Sequence, residues 1–170
     1  MTVSPAWLSG ARVSLRPNWF ERVLALGAIL LLVALAWAVM RGRPKWDQAP
    51  LLVWLHLATI AASLALTPVL LLRPRGVRRH RQVGYAWVAA MTATAALSFG
   101  IRTIHPGGFS PIHVLSTLTL ITAPLLAWFA HAHNVRAHRM TALFLVTGAL
   151  VIAGFFTFPF GRMLGRWLLG

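Results

Sequence analysis

The sequence has no cysteine, and its 170 residues include only two acids, Glu21 and Asp47. Without cysteine there are no disulfides, no thiolate chemistry and no Cys-ligated zinc or iron–sulfur site. Two isolated carboxylates give no pair for acid–base work and no oxygen cage for Ca²⁺ or Mg²⁺. Both acids fall outside the long apolar runs, so no intramembrane Asp or Glu is at hand to carry protons or cations. Tyrosine occurs once, as Tyr85. The chemically versatile side chains are therefore seven histidines, Tyr85 and the Ser and Thr hydroxyls.

What is abundant is apolar. Hydrophobic residues make up 58% of the chain, and the mean hydropathy is +0.73. Several runs approach or exceed the roughly 18–20 residues needed to cross a bilayer. The pattern predicts an all-α integral membrane protein with five transmembrane helices, from Val23 to Met40, Pro50 to Leu72, Val83 to Ile101, Pro111 to Ala130 and Met140 to Phe160. Residues 1–22 and 161–170 mix Trp with Arg and read as interfacial segments. The first run starts only after Arg22 and ends in a poor cleavage site, so it reads as a span rather than a secretory signal.

Sixteen Lys and Arg stand against the two acids. They flank the apolar runs, so their partner is the anionic surface of a lipid bilayer, not nucleic acid. With the N-terminus inside, ten basic residues lie on the inner side and six on the outer. The inner excess is carried mostly by the loop "RPRGVRRHR". This bias predicts a cytoplasmic N-terminus. Trp19, Trp46, Trp54, Trp128 and Trp167 fall near the predicted interfaces, as an aromatic belt would.

The second and third spans share a pattern with the fourth and fifth. His56 is followed by Pro68 twelve residues on and by His80-Arg81 at twenty-four. His113 is followed by Pro124 eleven on and by His138-Arg139 at twenty-five. Residues 50–160 thus read as a four-helix core of two repeated hairpins, with helix 23–40 packed outside it. Parallel repeats of this kind place His56 and His113 toward the outer face and His80 and His138 at the inner face. Ser110 and Pro111, an N-cap and a first-turn proline, fix where the fourth helix starts and so how deep His113 sits. Thr59, Ser63 and Thr67 follow His56 at helical spacing, and Ser116 and Thr117 follow His113. Such a stripe suits close helix packing or the wall of a cofactor slot.

Two histidines on facing helices can supply both axial ligands of haem b. The outer pair, His56 and His113, is the leading candidate, with Arg102 as a propionate partner. His80 and His138 form the second candidate pair, with Arg81 and Arg139 in that role and with Gly84 opening space on the helix face. Against this stands the plainer reading of helix-end histidines that are solvated or face lipid phosphates. His131, His133 and His138 have a spacing that could hold zinc or copper, although no carboxylate supports them. His105 reads as a loop residue and Tyr85 as an interfacial anchor.

"HRQVGYAWVAAMTATAALSFGIR", "GGFSPIHVLSTLTL" and "NVRAHRMTALFLVTGALVIAGFFTFPFGRMLGRWLLG" resemble bacterial membrane proteins of the family called domain of unknown function 2306, over about residues 50–170. His80-Arg81 with Gly84, Ser110-Pro111-Ile112-His113 and His138-Arg139 match its motifs, while Phe160 interrupts its Pro-Gly-Arg ending. The likeness implies topology and motif positions but no reaction. In arrangement alone, the paired histidines are similar to transmembrane dihaem cytochromes b. The leading expectation is a small haem-b-binding electron-transfer protein that works with quinone or a partner and has no independent catalytic activity beyond that. The alternatives are an accessory or assembly subunit of a larger membrane complex, and a metal or small-solute transporter.

Overall fold

The computed structural model describes residues 17–101, 111–159 and 161–169. Ser110, Arg102, His105, Phe160 and most of the N-terminal segment lie outside them. Six helices follow one another, and no strand occurs among the described residues. They are α1 (Trp19–Arg41), α2 (Leu51–Leu72), α3 (Arg78–Ser98), α4 (Pro111–His131), α5 (Val135–Phe155) and α6 (Met163–Leu169). A short 3-10 helix, Arg43–Gln48, links α1 to α2.

Four helices are long and apolar enough to cross a bilayer: Trp19–Arg41, Leu51–Leu72, Ile112–His131 and Val135–Phe155. Their outward faces are apolar, with Leu26, Leu30, Val33 and Trp37 on α1 and Val114, Leu118 and Ile121 on α4 exposed. So large a contiguous apolar surface suits lipid rather than water. The chain thus has the make-up of a multi-pass membrane protein. α3, the expected third span, is not one of the four. Its first turns read Arg78-Arg79-His80-Arg81-Gln82, and that run dilutes its hydropathy.

α3 nevertheless runs the full depth of its neighbours. Near one end its Tyr85 hydroxyl meets His131 Nε2 of α4 at 3.1 Å. At the other, Ser98 and Ser116 share a hydrogen bond. On its α2 side, Trp87 Nε1 donates to Thr67 Oγ1 at 2.9 Å, and His56 Nδ1 lies 3.1 Å from the Thr94 carbonyl. The hydroxyl stripe is therefore interhelical adhesive. Ser63, Thr67, Ser116 and Thr117 also donate to carbonyls four residues back, which satisfies each hydroxyl in an apolar setting.

The helices form a ring in the order α1–α2–α3–α4–α5, closed by contact of α5 with α1. α1 was expected outside a four-helix core. Instead it closes the ring, with Ala25, Ala28 and Ala38 almost fully buried. Small residues let the backbones approach: a Cβ on Gly154 of α5 would sit 3.1 Å from Leu31 of α1. The middle of α5, Leu145–Ile152, is wound as a π-helix.

α6 turns back against the end of α1. Gly161 adopts φ +67 at the turn. Gly165 packs its backbone on Phe158, whose carbonyl oxygen a Cβ would strike at 1.8 Å. Arg41 donates to the Leu168 carbonyl at 3.1 Å. Trp46, Trp54 and Trp167 cluster at this end, with ring centroids 5.3 and 6.0 Å apart in sequence.

Candidate functional site

Two cavities lie inside the ring, one toward each end. Trp87 lines one and Met91, a turn further along α3, lines the other. The larger, about 930 Å³, opens at the Trp46 end and includes His56. The smaller, about 470 Å³, opens at the Glu21 end and includes both His80 and His138.

Glu21 organises the smaller site. The stretch "NWFE" opens α1 as a capping box. Glu21 N–H donates to Asn18 Oδ1 at 2.8 Å, and Asn18 N–H donates back to Glu21 Oε2 at 2.9 Å. The same carboxylate pairs with Arg75 Nη2 at 2.7 Å and with Arg139 Nε at 3.1 Å. Glu21 is fully buried. It therefore ties the start of α1 to the α2–α3 connection and to α5. Sequence reading missed this clamp, although an Asn followed three residues later by Glu just before an apolar run was a visible signal.

The return helix α5 begins at Val135, capped by Asn134, whose side chain accepts from Ala137 N–H at 3.0 Å. His138-Arg139 thus sits a turn inside a helix, not in a loop, and His80-Arg81 likewise lies in the first turn of α3. Both histidines face the cavity. His138 Nδ1 lies 3.0 Å from the Leu126 carbonyl. A carbonyl only accepts, so in the neutral ring Nδ1 carries the proton and Nε2 keeps a lone pair. Metal-ligating histidines are commonly oriented in this way. Burial, and further the charges of the neighbouring His138 and Arg75, hold His80 below the usual histidine pKa.

The walls leave room beside these rings. A Cβ added at Gly84 would meet nothing within 4 Å. Arg75, Arg81 and Arg139 line the same cavity. Arg75 Nη1 is buried with no hydrogen-bond partner among the described residues. A buried guanidinium N–H without an acceptor costs free energy.

The outer pair is arranged differently. His56 lines the larger cavity with its Nδ1 bound to Thr94 of α3. His113 is buried, and its ring packs 5.5 Å from Phe99, the residue that caps the end of α3. It is not among the residues lining either cavity. α3 stands between the two helices that carry these rings, and each ring turns to it.

The proposed triad of His131, His133 and His138 is not assembled. Among the described residues no group of three His, Asp or Glu could hold a metal ion. His131 has both nitrogens engaged, with Nδ1 at the Ala127 carbonyl and Nε2 at Tyr85. His133 ends α4 at φ 54, the left-handed position that usually falls to Gly or Asn. Tyr85 is thus a partner of His131 as well as an interfacial ring. Compared with protein-family models, with curated proteins and with solved structures, the chain matches none.

Proposed function

We propose that this is a five-span protein of a bacterial inner membrane, with a cytoplasmic N-terminus, that holds haem b in the smaller cavity and passes electrons through it. The observation that carries this reading is that His80 and His138 line one cavity together with Arg75, Arg81 and Arg139. The donor set suits the group: two imidazoles, an open helix face at Gly84, and guanidinium N–H groups for propionates. When bound, haem would supply one-electron chemistry. The chain's part is to hold the imidazoles in one tautomer, to neutralise the carboxylates and to keep the site within apolar walls. The inner pair replaces the outer one as the leading ligand pair, because only the inner pair shares a cavity.

The orientation rests on charge. Arg73, Arg75, Arg78, Arg79, Arg81, Arg136 and Arg139 gather at the Glu21 end, which the positive-inside rule assigns to the cytoplasm. The fifth crossing rests on α3 pairing with α2 and α4 along their length.

A reduced-minus-oxidised absorption spectrum of protein purified from haem-replete cells tests it. An α-band and a Soret shift are expected, abolished by His80→Ala or His138→Ala and kept in His113→Ala. A colourless protein overturns the haem reading. A band that survives both inner substitutions but disappears with His113→Ala returns the ligands to the outer pair.

A further inference from the structure

The larger cavity has a chemistry that haem binding does not use. Its mouth carries Lys45, Arg162 and Arg166, and no acid lines it. Among the described residues the only ion pairs are those of Glu21, at the other end of the bundle. The cations are placed by the fold. Gly161 reverses the chain, Gly165 seats α6 on Phe158, and Arg162, just before α6, accepts at its carbonyl from the Arg166 N–H, so that both arginines line the cavity. Behind them the walls are mostly apolar down to Leu64, Met91 and Ala149, and the polar side chains among them, His56, Thr94, Ser98, Ser116, Thr119 and Thr157, each bond to a backbone carbonyl. Leu64 stands thirteen residues into α2, about 20 Å along the helix. That exceeds the roughly 15 Å from the edge of a bilayer's hydrocarbon core to its midplane.

We infer that this cavity binds a single-chain anionic amphiphile, a long-chain carboxylate, with its head at Lys45, Arg162 and Arg166 and its chain between the helices. Charge selects the head, because among the described residues the three cations pair with no carboxylate. Depth and apolar lining select the chain. Size bounds the guest, since about 930 Å³ is at the upper end of ordinary small-molecule sites. The hydroxyl of Ser116 is spent on its own helix backbone, so beyond the mouth it makes no polar demand on a guest.

Native mass spectrometry of the full chain in neutral detergent tests this, with oleate, methyl oleate and a phosphatidylglycerol as probes. One oleate per chain is expected, retained about ten-fold better than methyl oleate, in line with charge-assisted contacts to the head. Arg162→Gln with Arg166→Gln should remove most of that preference, and Ala149→Phe should block the chain. Lys45 is exposed, so Lys45→Gln gives a weaker loss of preference without risk to folding. Equal retention of oleate and methyl oleate, or no retention of either, overturns the inference. So does retention of phosphatidylglycerol in preference to oleate. The readout involves no pigment, so failure here leaves the haem reading standing, and the reverse also holds.

Discussion

Glu21 and Arg139, 118 residues apart in sequence, meet at 3.1 Å with the carboxylate fully buried. Arg75 adds a second guanidinium at 2.7 Å, and the Asn18 N–H adds a backbone donor. The chain's one buried acid therefore neutralises two cations and caps a helix together. Removing it leaves Arg75 and Arg139 facing each other without a counter-ion. Glu21→Gln should cost roughly 2–4 kcal/mol, somewhat under the usual cost of breaking a fully buried pair because both arginines keep some contact with solvent. Arg75→Gln should cost less, since Arg139 still pairs with the carboxylate. Thermal melts in detergent measure both, and an unchanged midpoint for Glu21→Gln would show that the clamp contributes nothing.

The absence of native cysteine makes topology directly measurable. Single cysteines at exposed Pro74, Ala132 and Gln48 report on three connections. If α3 crosses the membrane, Pro74→Cys and Ala132→Cys react with an impermeant maleimide from the same side, and Gln48→Cys from the other. If α3 stays on one face, Pro74→Cys and Ala132→Cys label from opposite sides. Labelling of intact cells and of inverted vesicles separates these outcomes and fixes the sign of the orientation.

The helical architecture was legible because apolar runs of bilayer length leave few alternatives. The boundaries of α5 were not. Val135, Arg136 and His138 look like a solvated loop, yet Asn134 caps a helix that carries them inward. Reading His138 as a solvated helix-end residue is what demoted the inner pair. The outer pair failed for a related reason. The repeat correctly put His56 and His113 near the same end, but depth says nothing about azimuth, and α3 lies between their helices. The closure of the ring by α1 was hidden too, because Ala25, Ala28 and Ala38 read as generic membrane residues until a neighbour's position is known. Only the clamp at Glu21 was both missed and visible, since a capping box is a local signal.

Gly84 separates a cavity that holds a ligand from one that is merely loose packing. It lies inside α3, where glycine is a poor helix former, and its face toward the cavity is open. Gly84→Ala should therefore stabilise the protein by about 0.5–1 kcal/mol through the backbone alone. A methyl takes up little of a 470 Å³ space, so pigment content should persist. Gly84→Phe places a ring in the volume beside His80 and His138. If that volume is only a packing defect, filling it should raise the melting temperature as a cavity-filling change does. If it is the haem site, Gly84→Phe should leave helix content intact by circular dichroism and abolish the absorption band, as His138→Ala does. Full pigment in the Gly84→Phe protein would place the cofactor elsewhere. The two substitutions at one position thus distinguish the backbone's preference from the ligand's.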